Sequence, residues 1–145
     1  MADYAKPLPS PDYDTSAYWE ATKAHELRAQ RCSGCGKLRW LPQAFCPHCH
    51  SWESSWVKLA ETGTVVSYVV VHQATPAFAQ EVPYAVARIE LDGTDGEVVL
   101  TSNIVDCPWQ DVAVGMRVQA MFEDVTPEVT LPRFSPLALA GEGVR

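Results

Sequence analysis

The chain has 145 residues, 47% of them hydrophobic and 20% charged, with a formal net charge of −7. This is the composition of one globular domain or two small ones packed together, and it excludes a low-complexity or disordered protein. No apolar run reaches the roughly eighteen residues of a membrane-crossing helix, and Met1 to Pro11 carries no hydrophobic signal region, so a soluble, cytoplasmic protein is expected.

The acidic total hides an asymmetry. Residues 23–39 contain Lys23, Arg28, Arg31, Lys37 and Arg39 against Glu26 alone, a local balance of +4 that leaves −11 elsewhere. An acidic body repels nucleic acid, while a compact basic edge suits a small polyanion or serves as a solvated face.

In chain order, residues 1–13 read as an extended, poorly anchored arm rich in Pro, Asp and Tyr. A helix is predicted to begin near Asp14, Thr15 or Ser16, any of which can cap it, with Glu20 in its first turn. Its amphipathicity is modest, so it should pack through Tyr18, Trp19 and Leu27. The arm and helix form a first unit, residues 1–26.

A zinc ribbon is expected over residues 27–58. Cys32-Ser33-Gly34-Cys35, ten residues, and Cys46-Pro47-His48-Cys49 are two knuckles, each presenting two sulfurs to one ion. The ten residues between them suffice for two short strands and a turn. Cys32, Cys35, Cys46 and Cys49 therefore form a four-sulfur tetrahedral set, which suits Zn2+ at about 2.3 Å per bond and leaves no position open for water or substrate. The metal is structural on this reading, and Gly34 and Gly36 can supply positive φ in the knuckles. Iron suits the same four sulfurs, so spacing alone leaves the metal's identity open. His48 and His50 are not needed as ligands. Trp40, Leu41, Phe45, Trp52 and Trp56 give more aromatic and apolar surface than a ribbon uses, either to seal it against its neighbour or to face a partner.

From Gly63 the pattern becomes that of strands: Thr64 to His72, Tyr84 to Leu91, Glu97 to Ile104, Arg117 to Glu123 and Val129 to Phe134, with a turn at residues 92–96. Five short strands without an intervening helix predict a small barrel of OB type over residues 59–145, including a C-terminal tail. The loop Gln73 to Pro83, with Phe78, reads equally as a functional loop or an inward-folded lid.

No nucleophile with a base and no converging carboxylates are evident. His25 falls at the helix and His72 at a strand end; Cys107 reads as a small buried thiol. No catalytic residue is assigned.

Tyr18-Trp19-Glu20-Ala21, CSGCGKLRWLPQAFCPHCHS, GTVVSYVVVH, VPYAVARIELD, VGMRVQAMFED and LPRFSP together resemble a known family across nearly the whole chain. It comprises small bacterial and archaeal proteins that join an N-terminal helix, a rubredoxin-like zinc ribbon and a C-terminal OB-fold, often encoded beside thiolase-superfamily genes. The chain departs from it at His50, where Gly is common. The resemblance implies a mainly β protein acting as a non-catalytic accessory subunit. It would bind a thiolase or aldolase of the thiolase superfamily in a two-plus-two heteromer and help form an acyl-CoA site. Lys23, Arg28, Arg31, Lys37 and Arg39 would then meet the CoA phosphates, with Phe78 the candidate aromatic contact. The alternative is a single-stranded nucleic-acid-binding module, which the −11 body disfavours; an independent acyl-CoA carrier or thioesterase lacks a visible nucleophile.

Overall fold

The computed structural model describes residues 4–137; the expected C-terminal tail beyond 137 and residues 1–3 of the arm lie outside the described residues. One helix and eight strands follow in order: α1 (Ser16–Lys23), β1 (Arg28–Cys32), β2 (Leu38–Arg39), β3 (Ser54–Lys58), β4 (Thr62–Val71), β5 (Tyr84–Leu91), β6 (Val99–Ile104), β7 (Arg117–Asp124) and β8 (Thr130–Pro136). Among the described residues no helix is long and apolar enough to cross a membrane.

The helix starts where predicted, but its entry differs. The Thr15 side chain makes no capping bond, and no acid falls in the first turn, so Glu20 lies beyond it. The chain is turned instead by Asp12, whose carboxylate accepts the N–H groups of Asp14 and Thr15 and the Thr15 hydroxyl. The Asp12 carbonyl then takes the Ser16 N–H at 2.9 Å. The helix stops at Lys23, and His25 takes a left-handed φ of 61°. Leu27 therefore falls outside the helix, yet it is buried, and Tyr18 packs edge-on against Trp19 and Trp40.

The ribbon is a three-stranded antiparallel sheet in the order β2-β1-β3. Only one short strand lies between the knuckles, not two; the sheet draws β1 from before the first knuckle and β3 from after the second. Arg28 pairs with Lys58, and the Leu59 N–H donates to the Leu27 carbonyl at 2.8 Å, so the ribbon's two ends meet.

The five remaining strands form the expected closed barrel, β4-β5-β6-β8-β7. Strict alternation builds its core. Ala85, Ala87, Ile89 and Leu91 of β5 point inward beside Val65, Leu100, Val118 and Phe134, while Arg88 is exposed. Burying one such aliphatic side chain stabilises by about 1.5–3 kcal/mol, so the barrel holds most of the hydrophobic driving force. Tyr18, Leu27, Ala29 and Leu38 belong to the same buried cluster, which joins helix and ribbon to the barrel. A bidentate ion pair fastens the barrel's turn, with Arg117 Nη1 2.8 Å from Asp92 Oδ1 and Nη2 2.6 Å from Oδ2.

The arm is better tied down than its composition suggests. Lys6 pairs with Glu81 on the 73–83 loop and lies 5.8 Å from the centre of the Phe78 ring.

Candidate metal centre and neighbouring surfaces

The metal centre grows from the ends of β1 and β3. Cys32 closes β1, and the Gly36 N–H bonds back to its carbonyl at 2.9 Å, curling the first knuckle. The second repeats the turn: His50 N–H donates to Cys46 O at 2.9 Å. Gly36 and His50, each one residue past a C-x2-C pair, take φ of 80° and 67°. This left-handed backbone suits the glycine and strains the histidine. Gly34 serves differently from the expectation: its φ is ordinary, and a Cβ there would lie 3.2 Å from the Cys49 sulfur.

The four sulfurs of Cys32, Cys35, Cys46 and Cys49 all lie within 4.8 Å of one another, with Cys32–Cys49 at 3.5 Å and Cys35–Cys46 at 3.7 Å. A tetrahedron with bonds of about 2.3 Å has edges of about 3.8 Å, so this set fits zinc. Amide groups already point at the sulfurs: Gly34 N–H to Cys32 at 3.3 Å, His48 and Cys49 N–H to Cys46 at 3.3 and 3.4 Å. The Cys35 and Gly34 amides help to pull the Cys32 thiol down to about 5. Cys49 is pushed up to about 11: the Ser51 amide lowers it, but the neighbouring sulfurs and burial outweigh that. Four thiolates this close need a cation, and a dication supplies it. With all four positions filled by protein, the metal would hold the ribbon together and leave nothing for chemistry.

Arg39 is drawn into the same structure. It is 1% exposed, and its guanidinium donates to the carbonyls of Gln43 and Ala44 through Nη1 and of Ser51 and Glu53 through Nη2. It knits the ribbon from within, rather than standing free on the predicted basic edge.

The other four cations do not form one continuous edge either. Lys23 is exposed at the end of α1, and Arg28 is paired with Glu26 at 2.8 Å. Arg31 donates to the Gly36 carbonyl at 2.7 Å, and Lys37 stands 3.9 Å from Glu97. The period of two puts Arg28 and Arg31 on opposite faces of β1. Lys37 shares the β1–β2 hairpin with Arg31, where Arg31 is paired with Leu38. Phe78 sits apart from all of these on the barrel loop, tilted against Tyr84 with ring centres 6.4 Å apart. No sequence signal told these environments apart, because partner choice depends on residues such as Glu97, 60 positions downstream of Lys37.

The ribbon's apolar side chains divide between the two expected roles. Trp40 and Trp56 pack against the core. Phe45, Trp52 and Leu41 face outward, Trp52 being 73% exposed and its ring 5.5 Å from that of Phe45. His25, His72 and Cys107 have structural surroundings. His25 stacks on Phe122 and lies 3.0 Å from Asp124, whose carboxylate also accepts the Thr130 hydroxyl. His72 meets the Trp109 ring edge-on. Burial and Asp111 push the Cys107 thiol up, away from the reactive thiolate.

Comparison with known proteins matches both halves of this architecture. Residues 19–53 match the family model described as ChsH2, rubredoxin-like zinc ribbon domain, and residues 56–123 the one described as ChsH2, C-terminal OB-fold domain. A probable enoyl-CoA hydratase alpha subunit of Thermomonospora curvata is 40% identical over 132 residues, covering 90% of this chain and 40% of that protein. The chain thus spans less than half the length of that relative. A DUF35 domain-containing scaffold protein of Methanocaldococcus jannaschii is 38% identical over 96 residues, 66% of each chain. Among solved structures, a chain of the Ltp2-ChsH2(DUF35) aldolase superposes with a TM-score of 0.79 at 39% identity, covering 88% of this chain and 98% of that one.

Proposed function

Because this chain belongs to the DUF35 family, the ChsH2-type proteins that join a zinc ribbon to an OB-fold, we propose that it is an accessory subunit of an acyl-CoA-processing enzyme. One observation carries the reading: nearly the whole of the matched chain in the Ltp2-ChsH2(DUF35) aldolase has its counterpart here at 39% identity. The hydratase alpha subunit and the scaffold protein among the relatives point the same way. The chain's own residues agree with a helper's role. Its grouped cysteines fit a closed metal site, and His25, His72 and Cys107 are engaged in packing or hydrogen bonds.

In this role the partner is a thiolase-superfamily protein that supplies the groups for forming or breaking a C–C bond beside the thioester. A cytoplasmic two-plus-two heteromer is the assembly we infer. The structural zinc would hold the ribbon rigid, and the outward Phe45, Trp52 and Leu41 give it an apolar face for docking. Lys23, Arg28, Arg31 and Lys37 remain candidates for the CoA phosphates, and Phe78 for a ring of the nucleotide.

The test is reconstitution with a thiolase-superfamily protein encoded beside this chain. Co-elution as a hetero-oligomer, with acyl-CoA turnover only when both are present, is the expected result. Sustained turnover of a thioester by this chain alone, or full activity of the partner without it, overturns the proposal.

A further inference from the structure

The two faces of the ribbon sheet meet different surroundings. Ala29 of β1, set opposite Val57 of β3, belongs to the buried cluster shared with the barrel. Gln30, the next residue, turns to the other face beside Trp56, its partner on β3. The Gln30 amide is held at both ends: Oε1 accepts the Gln43 N–H at 2.9 Å, and Nε2 lies 3.5 Å from the Ser54 hydroxyl. Gln30 is thus a fixed floor. Over it opens a groove of about 430 Å³ whose walls include Tyr13, Asp14, Trp52 and Trp56, the last also touching the core cluster.

Tyr13 is 94% exposed and Trp52 73%, so two large aromatic faces stand open to water. Tyr13 and Asp14 do not trail loosely there, because the Asp12 carboxylate accepts the N–H groups of Asp14 and Thr15 and fixes the turn. Among the described residues the Asp14 carboxylate makes no ion pair or hydrogen bond, and no lysine or arginine lines the groove. Only Lys6, among the described residues, lies over an aromatic ring, and its rings are Tyr4 and Phe78. The chain around the turn is acidic as well: residues 8–22 hold Asp12, Asp14 and Glu20 and neither lysine nor arginine.

Aromatic faces beside an unpaired carboxylate are complementary to an organic cation. A guanidinium suits them best, since it stacks flat on an indole while its fork donates to a carboxylate at the rim. The Phe45 ring, 5.5 Å from that of Trp52, continues the apolar surface beyond the groove, an area that a protein covers and a small solute does not. We propose that this groove receives an arginine side chain presented by a protein docked on the ribbon's outer face. The proposal rests on the subunit role for the existence of such a protein. Its chemistry is measured on this chain alone, so each can fail without the other.

The test follows the Trp52 and Trp56 indole N–H signals of the full, zinc-loaded, isotope-labelled chain by NMR. The probes are acetyl-Ala-Arg-Ala-amide and the same peptide carrying citrulline, the uncharged isostere of arginine. Saturable shifts of both indoles with the arginine peptide are expected, and citrulline binds about tenfold more weakly because the cation's contacts are lost. Asp14→Asn weakens the arginine peptide about fivefold and leaves the citrulline peptide unchanged. Trp52→Ala abolishes the shift at Trp56 while zinc content and melting temperature hold; Trp52→Gln repeats the test should Ala disturb the fold. In the reconstituted hetero-oligomer the groove is filled and the peptide no longer binds, whereas undiminished binding there overturns the docking. Tetramethylammonium binding tighter than the arginine peptide assigns the groove to a small ammonium ligand and overturns the partner's arginine. Self-association of the chain that Asp14→Asn abolishes assigns it to a second copy, with the same consequence. No saturable shift, or equal affinity for the arginine and citrulline peptides, overturns the site.

Discussion

Nη2 of Arg39 lies 3.0 Å from the carbonyl oxygen of Ser51, the same oxygen that accepts the N–H of the metal-site residue Cys46 at 2.8 Å. One buried cation thus holds the second knuckle from behind. Arg39→Met removes the four carbonyls' shared donor, and hydrogen bonds to a charged group contribute about 1.5–3 kcal/mol each before losses to rearrangement. Nε of Arg39 has no partner, so part of that gain is already forfeited. We expect a net loss of about 2–4 kcal/mol in denaturant unfolding of the zinc-loaded chain, with faster zinc release to a chelator. Unchanged stability would mean the guanidinium is dispensable to the ribbon.

Metal removal should act locally. Structural zinc contributes about 10–16 kcal/mol of apparent binding energy in small zinc domains, far more than a three-stranded sheet of this size can replace. Cys35→Ser is expected to lose zinc and unfold the ribbon. The barrel, closed by its own strand pairing around Val65, Ile89, Val118 and Phe134, keeps its amide protection. Hydrogen exchange by mass spectrometry reads both outcomes in one experiment. Full protection of residues 28–58 in the variant would count against a metal-dependent ribbon.

The second knuckle carries a removable strain. His50 occupies the left-handed turn position that Gly36 fills in the first knuckle. A non-glycine residue there costs about 1–2 kcal/mol, less the extra entropy glycine loses on folding. His50→Gly is expected to stabilise the zinc-loaded chain by about 1 kcal/mol and slow zinc release several-fold. Destabilisation instead would show that the imidazole, 6.2 Å from the Phe45 ring, contributes more than the turn costs.

Acid sensitivity should appear at the barrel turn. Hydrogen bonds from Arg117 and then Thr62 hold Asp92 down at about 2, against an ordinary 3.8. The folded carboxyl titrates below the unfolded one, so its stabilisation is complete above the unfolded value and fades as pH falls through about 2. The side chain is 37% exposed, and solvent screening reduces the contribution to about 1 kcal/mol. Asp92→Asn should therefore be less stable than the parent near neutrality by that amount, the gap narrowing below pH about 4. Comparing the two proteins at each pH cancels metal loss in acid, which is common to both. A gap independent of pH would assign the effect to packing.

Regular patterns were readable from the chain, and idiosyncratic pairings were not. The C-x2-C spacing and the strict alternation at residues 84–91 are local codes, and each fixes its neighbours' geometry directly. Arg39 was read as surface because a cation in a basic run usually is; its burial depends on four carbonyls supplied by residues 43–53. The helix was read as reaching Leu27 because apolar spacing persists past Lys23, while the left-handed turn at His25 leaves no composition signal. The groove beside Asp14 is assembled from residues between 13 and 56, which no window of sequence brings together.

The bond from Leu59 to Leu27 means that the chain enters and leaves the ribbon through a single doorway. Everything between those two residues is one insertion in the chain's path, a cassette seated on the rest of the molecule through Ala29, Leu38 and Trp40. A cassette of this kind can change its loop lengths or its outward-facing aromatics without altering the path of any barrel strand. Selection can thus retune what the ribbon touches while the barrel keeps its own geometry, giving one frame many possible companions.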